Sequence, residues 1–276
     1  MKKMAVITGC DSGIGKSLTE ILIKDDYFVI ISYLMNNPFS NEPNVSAYKL
    51  DIRNQDETES FASAVREHCN QGYQLEYFIN NAGVAKGGPV EDIPFKIFRE
   101  VFEINFFGVV LLTQKLIPEL IKSKGTIVIV GSLAGKVALP FLSPYVSTKF
   151  ALEGFADSLR RELIPFGIKT ILIEPGAIAT PIWNNAKKQD LSYVSKKYLK
   201  SLEKFEKNFI EAGNAGMSVD KAAEQIVKIL KKKHPKSRYL IAKKNIDTYL
   251  PLLLSSELFD KIVIKLFSMN YGKEKD

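Results

Sequence analysis

Cysteine, histidine and tryptophan are scarce: the 276 residues include two cysteines, two histidines and one tryptophan. Cys10 and Cys69 cannot build a disulfide framework, so no oxidising compartment is expected. His68 and His234 have no metal-ligand spacing with the cysteines, and no metal is implied. A spanning helix needs about 18 consecutive uncharged apolar residues, and no such run exists. The opening Met-Lys-Lys-Met-Ala-Val-Ile-Thr-Gly lacks the apolar core of a secretion signal, so a cytoplasmic location is expected. Internal repeats and low-complexity linkers are missing too. What remains, 46% hydrophobic and 25% charged, is the composition of an ordinary globular chain long enough to bury a sizeable core.

The formal net charge is +7, but it is unevenly placed. Residues 1–183 hold 18 Lys/Arg against 20 Asp/Glu, whereas residues 184–276 hold 20 against 11. The first two-thirds is therefore −2 and the remainder +9. A nucleic-acid binder would carry an ordered basic groove or recognition helix, and none is identifiable.

Short apolar runs alternate with stretches of helical period over most of the length. Strands are predicted at Met4–Thr8, Phe28–Ser32, Val45–Leu50, Leu75–Ile79, Gly125–Val130 and Ile168–Ile173. Helices are predicted at Ile14–Lys24, Asp56–Cys69, within Phe95–Ile121 and at Pro144–Leu163. Strands apolar on both faces, alternating with helices, imply an α/β fold with a doubly wound parallel sheet covered on both sides. From about Thr180 the alternation stops, and the rest reads as helical, Lys-rich and dotted with aromatics. We expect one domain over residues 1–276. Residues 1–180 would be its core, 181–217 a lid over the substrate, and 218–276 a helical extension.

Thr8-Gly9-Cys10-Asp11-Ser12-Gly13-Ile14-Gly15 joins the first strand to the first helix. Glycines there let backbone approach a pyrophosphate at a helix N-terminus. The spacing is G-x-x-x-G-x-G, and a tight structural turn would look similar. Further motifs follow in order: Asp51, Asn80-Asn81-Ala82-Gly83, Asn105 in Asn-Phe-Phe-Gly, Ser132, Tyr145-x-x-x-Lys149 and Pro175-Gly176. Each falls at a strand's C-terminal end or on the helix beyond it, where open α/β sheets bind ligands.

Together these residues resemble the short-chain dehydrogenase/reductase family over about residues 4–180, with a weaker likeness at Arg238–Phe267. Thr-Gly-Cys-Asp-Ser-Gly is similar to the branch with retinol, hydroxysteroid and hydroxybutyrate dehydrogenases. The resemblance implies a Rossmann-type fold and a nicotinamide cofactor. It places cofactor contacts at Gly9, Asp11, Ser12, Gly13, Ile14, Gly15, Asp51, Ile52, Asn81, Ala82, Gly83, Tyr145, Lys149, Pro175, Gly176, Ile178 and Thr180. It also implies a homodimer or homotetramer through the helices of Phe95–Ile121 and Pro144–Leu163.

Tyr145 and Lys149 are four apart on a predicted helix and face the same way. A free tyrosine titrates near pH 10, and a neighbouring ammonium favours its phenolate. The expected roles are Tyr145 as acid–base, Lys149 as its charged neighbour and holder of the nicotinamide ribose, Ser132 as a hydrogen-bond partner of the reacting oxygen, and Asn105 as the positioner of a proton-passing water. Tyr-x-x-x-Lys alone has little specificity, because it recurs at Tyr193/Lys197, Tyr239/Lys243 and Tyr271/Lys275. Only Tyr145 has Ser132 upstream and the glycine loop before it. The alternative, a non-catalytic dinucleotide-binding regulatory module, would be marked by loss of Tyr145, Lys149 or Ser132; all three are present.

After the second strand comes Ser32-Tyr33-Leu34-Met35-Asn36-Asn37, with neither the acidic residue that accepts from a ribose 2′-OH nor an arginine for a 2′-phosphate. Ser12 stands where a basic residue precedes Gly13 in many NADP-preferring relatives. Lacking both basic determinants, the chain is expected to use NAD, with NADP kept open and Lys16 the residue most able to reverse this. The segment Leu133–Pro144 and Ile182-Trp183 are apolar, which suits a hydrophobic alcohol, ketone or aldehyde. Tyr193, Tyr198, Phe205 and Phe209 are candidate liners from the lid. Ile246–Met269 is apolar but broken by Pro251, Glu257, Asp260, Lys261 and Lys265. It is expected to pack on the core or a subunit, with peripheral contact to an anionic membrane as the alternative.

Overall fold

The computed structural model describes residues 2–183, 189–243 and 249–269. Seven strands form one parallel sheet: β1 (Lys2–Ile7), β2 (Phe28–Tyr33), β3 (Val45–Lys49), β4 (Tyr73–Asn80), β5 (Thr126–Val130), β6 (Lys169–Pro175) and β7 (Arg238–Ile241). Their order is β3-β2-β1-β4-β5-β6-β7, so the winding direction reverses between β1 and β4. Connections on either side of that point leave to opposite faces, which opens a crevice at the C-terminal ends of β1 and β4.

The continuous apolar runs of the strands are explained by burial on both faces. From β1, Ala5 and Ile7 point to one side with Val29, Ile31, Val128 and Ile173. Met4 and Val6 point to the other with Ile30, Phe78, Ile127 and Leu172. The first face is covered by α1 (Gly13–Lys24), with a C-terminal helix at Val219–Leu230. The second is covered by α2 (Gln55–Asn70) and by two long helices farther along the chain.

One of those is an unbroken helical segment from Phe95 to Ser123: α3 (Phe95–Phe102), a π-helical turn at Glu103–Phe107, and α4 (Gly108–Ser123). It is long and apolar enough to cross a membrane. Here Val109, Leu112, Leu116 and Leu120 are buried against the sheet instead. The other is α5 (Ser143–Leu163), which carries Tyr145 and Lys149. The C-terminal third adds α6 (Lys196–Asn214), α7 (Val219–Leu230) and α8 (Ser256–Leu266).

The sixfold strand pattern expected from the sequence is incomplete. β7 lies inside the segment read as a helical extension, pairing Leu172 with Arg238 through Pro175 with Ile241. At four residues in a Lys-rich context it is too short to show a period. Charge holds it in place: Arg238 meets Glu153 and Asp157 of α5 and Glu174 of β6, and Lys136 reaches Glu174 at 2.7 Å. The buried Glu174 carboxylate thus has two cationic partners, as burial of a charge demands.

Candidate active site

The turn after β1 is built by close backbone contact with the end of β4. Gly9 has φ +71°, and a Cβ there would lie 2.7 Å from the Ala82 Cα. A Cβ on Gly15 would lie 2.5 Å from the Gly9 carbonyl oxygen and 2.6 Å from Asn81 Nδ2. Only glycine fits either position. Asn81 braces the turn, donating from Nδ2 to the carbonyls of Thr8 (2.9 Å) and Gly9 (3.0 Å). Thr8 Oγ1 accepts in return from the amides of Asn81 and Ala82. Ser12 enters α1 in extended conformation without a side-chain capping bond, so a bound anion would find the first amides of the helix. This backbone-lined cradle at a helix N-terminus fits the pyrophosphate of a dinucleotide.

Other expected contacts surround it. Gly13 (φ +61°) faces Thr180, whose Cγ2 is 3.5 Å from the glycine's would-be Cβ. Ile178 bridges to Met217, and Gly176 donates to the Ile241 carbonyl, so β6's end is fixed by both α7's approach and β7. The buried Ile52 packs against Gly108 at the start of α4. Two carboxylates are already engaged. Asp51 is paired with the Arg53 guanidinium (2.6 Å), which holds its pKa below the usual carboxylate value. Asp11 accepts from the amides of Leu34, Met35 and Asn36 in the loop after β2. Cys10 is fully buried and its pKa is pushed up to about 12, which fits a packing role.

The proposed catalytic side chains converge at the ends of β4 and β5. Ser132 follows β5 and turns the chain, its Oγ accepting from the Ala134 amide at 3.1 Å. Tyr145 lies on the first turn of α5, with Ser132 as its polar neighbour. Burial raises the Tyr145 pKa, and the Ser132 hydroxyl works against that rise. Lys149, one turn on, is buried and donates to the Val130 carbonyl at 3.0 Å. Its ammonium sits 5.6 Å from the Tyr145 ring centre, and burial alone lowers its pKa to about 8. Desolvation is the larger influence on both groups in the protein alone, and it keeps Tyr145 a neutral phenol.

Asn105 is buried inside the π-helical turn. Such turns frequently mark functional positions, because the extra residue re-aims side chains. Its amide clamps Val84: Nδ2 donates to the Val84 carbonyl and Oδ1 accepts from the Val84 amide, both at 2.9 Å. Nδ2 also meets Thr148 Oγ1 at 3.1 Å, and Thr148 donates to the Tyr145 carbonyl. Asn105 Oδ1 and Lys149 Nζ lie on the same side of Gly83, 3.4 and 3.9 Å from the position of a Cβ there. Thr148 is the residue that reading the sequence missed. Its signal is a hydroxyl between the tyrosine and the lysine, three residues along the helix from Tyr145.

The chain on either side of Tyr145 joins an apolar cluster. Phe141, Leu142, Val146, Leu202, Phe205 and Phe267 form one buried cluster, joined by Leu139, Tyr198 and Phe209. Phe141 holds φ +62°, unusual for its bulk, and its carbonyl accepts from Gly88 at 2.7 Å. The start of the segment expected to be a lid is tied to this region. Tyr193 and Gln189 bond the backbone of Gly87, and Asp92 accepts from the amide and hydroxyl of Ser195. Trp183 seats its indole on Gly213 of α6 and meets Phe209 edge-on at 4.7 Å. The other tyrosine–lysine pairs have different partners. Lys197 pairs with Glu91, Tyr239 accepts from the Lys236 amide, and Tyr271/Lys275 lie outside the described residues.

Comparison with known proteins gives the family. A profile of the short chain dehydrogenase family matches residues 3–191. The chain is 36% identical over 262 residues to an uncharacterized oxidoreductase, YusZ, of Bacillus subtilis, covering 88% of this chain and 90% of that one. It is 33% identical over 273 residues to the NADPH-dependent 3-dehydrocapnine reductase of Ornithobacterium rhinotracheale, covering 95% and 96%. It is 32% identical over 278 residues to the NADPH-dependent 1-acyldihydroxyacetone phosphate reductase of Saccharomyces cerevisiae, covering 98% and 92%. A short-chain dehydrogenase structure from Streptomyces avermitilis shares the fold, with TM-score 0.78, 24% identity and coverage of 99% and 98%. The chain belongs to the short-chain dehydrogenase/reductase family. It is an oxidoreductase that depends on a nicotinamide cofactor.

Proposed function

We propose that the protein interconverts a hydrophobic alcohol and its ketone or aldehyde. The observation that carries this is the apolar cluster of Phe141, Leu142, Val146, Leu202 and Phe205, built from the segment joining Ser132 to Tyr145, the helix that follows it and the expected lid. Two relatives support it by name, since one reduces 3-dehydrocapnine and the other an acylated dihydroxyacetone phosphate. A bound nicotinamide supplies the hydride acceptor or donor. In the reducing direction Tyr145 gives its hydroxyl proton to the substrate oxygen, which Ser132 holds beside it. In the oxidising direction the phenolate takes that proton back. Lys149 stabilises the phenolate formed during turnover, and Asn105 with Thr148 fixes the backbone around both.

We further propose that the cofactor is NAD and that the chain acts as a homo-oligomer in the cytoplasm. The first reading is supported by Asp11. Its carboxylate occupies the amides of Leu34, Met35 and Asn36, beside the place where this fold reads the ribose 2′ position. A 2′-phosphate there would meet a negative charge and no arginine. The second is supported by exposed Phe107 and Phe150 on the two helices expected to pair. The test is a series of straight-chain ketones and alcohols of increasing length with all four cofactor forms, followed by nicotinamide absorbance. kcat/KM should rise about fourfold per added methylene, the transfer energy of roughly 0.8 kcal/mol per CH2. Equal rates along the series, or best turnover of a polyol, would overturn the substrate reading.

A further inference from the structure

Eight of the seventeen large hydrophobic side chains exposed among the described residues fall within Tyr249–Leu266. They are not scattered, apart from Ile264, which helical spacing puts on the far side of α8 with Glu257 and Asp260. Leu258, Ile262 and Leu266 recur every fourth residue and form one stripe along α8, each more than two-fifths exposed. Phe259 and Val263, half-buried, and Phe267, fully buried, form a second stripe beside it that faces the protein. Phe267 packs edge-on against Phe205 of the lid at 5.1 Å. The apolar surface of α8 is therefore twice as wide as the core uses. The turn before it continues the exposed half through Leu250, Leu252 and Leu253, the last 81% exposed.

Charge around the stripe has one sign. Lys261 and Lys265 follow Leu258 and Ile262 by three residues, which puts them along its edge, and both are exposed. Glu257 and Asp260 fall on the opposite side of the helix. The exposed Lys204 of α6 donates to Ser268 Oγ at the helix's C-terminal end, adding a third cation there. An apolar stripe bordered by lysines, with the acids turned away, matches the boundary of a bilayer, where apolar side chains enter the acyl region and ammonium groups reach phosphates. A soluble partner helix would not select for this one-signed border.

We propose that α8 and the Tyr249–Leu253 turn dock the enzyme on an anionic lipid bilayer. The docked helix lies directly over the lid cluster at the substrate side, so a lipid-like substrate would enter from the surface it dissolves in. The binding itself does not depend on the substrate reading.

The experiment is co-sedimentation of the full chain with vesicles of phosphatidylcholine alone and of phosphatidylcholine with phosphatidylglycerol, at low and high salt. Two variants accompany it: Leu258→Ser/Ile262→Ser/Leu266→Ser and Lys261→Gln/Lys265→Gln, each checked for retained NADH binding by fluorescence. The expected result is binding to the anionic vesicles that high salt weakens. The lysine variant should lose about twenty- to thirtyfold in partitioning, and the apolar variant more. No binding of the parent protein, or binding that neither variant weakens, would overturn the proposal. So would a parent oligomer that the apolar variant dissociates without lipid, which would assign the stripe to a second copy. The lysine variant leaves the packed face untouched and keeps the test decisive if the apolar one misfolds.

Discussion

Lys149 is held at some expense to the fold. Burial brings its pKa from the ordinary 10.5 down to about 8, so at neutral pH its charge is kept in a site that disfavours it. Between those two values the unfolded chain binds the more protons, so stability rises with pH across that window. Lys149→Met removes a penalty of roughly 3 kcal/mol and a hydrogen bond to Val130 of about 1 kcal/mol. The variant should therefore be more stable than the parent at pH 7 by urea denaturation. Its advantage should shrink as pH rises from 8 toward 10.5, while kcat is roughly a hundredfold or more lower. A variant less stable than the parent at pH 7 would contradict the burial argument. Asp11 makes the second residue-scale case. Asp11→Asn keeps an acceptor for the Leu34–Asn36 amides but removes the charge, so the ratio of NADP to NAD affinity should rise about tenfold by fluorescence titration. An unchanged ratio would remove Asp11 from cofactor selection. These roles were only half legible in the sequence. Asp11 stood in the glycine loop and was read as a cofactor contact, but nothing in a linear motif shows its carboxylate also reaching amides 23 to 25 residues away.

At the scale of elements, the glycine loop and β7 behave differently. Gly15→Ala would drive a Cβ into the Gly9 carbonyl and the Asn81 amide, neither of which has room to move. kcat/KM should fall roughly a hundredfold through misplaced cofactor, and the melting temperature should fall with it because the Gly9 backbone has to shift. Arg238→Met tests a different pattern. It strips β7 of its ties to Glu153, Asp157 and Glu174, leaving Lys136 alone with a buried carboxylate. Stability should drop by about 3 kcal/mol, with cofactor affinity preserved in the folded fraction. The first six strands were readable because a sheet buried on both faces needs long Val/Ile/Leu runs, as in Thr126–Val130. β7 was not, because Arg238–Ile241 is half-exposed, short and held by ion pairs that no periodicity encodes. The π-helical turn at Glu103–Phe107 was equally invisible, although Asn105 within it was found by its motif.

Across the whole molecule, chemistry and charge occupy different regions. Residues 1–183, close to neutral, bring Asn105, Ser132, Tyr145 and Lys149 together, and the basic last third supplies the lid, the closing strand and the apolar stripe of α8. On the proposed reading, the charge bears on what the enzyme meets, while its reaction is assigned to four side chains gathered near the ends of β4 and β5. Those four were named from sequence because each sits in a fixed motif, Ser132 at a strand end and the others on helices; the contacts around them, through Thr148, Val84 and Val130, needed the fold. The most direct measurement is turnover of a confirmed hydrophobic ketone by Tyr145→Phe, alongside NADH binding by the same sample. The account predicts unchanged NADH affinity with kcat reduced by roughly three orders of magnitude or more. Retained turnover with intact binding would show that the proton comes from elsewhere and would contradict it.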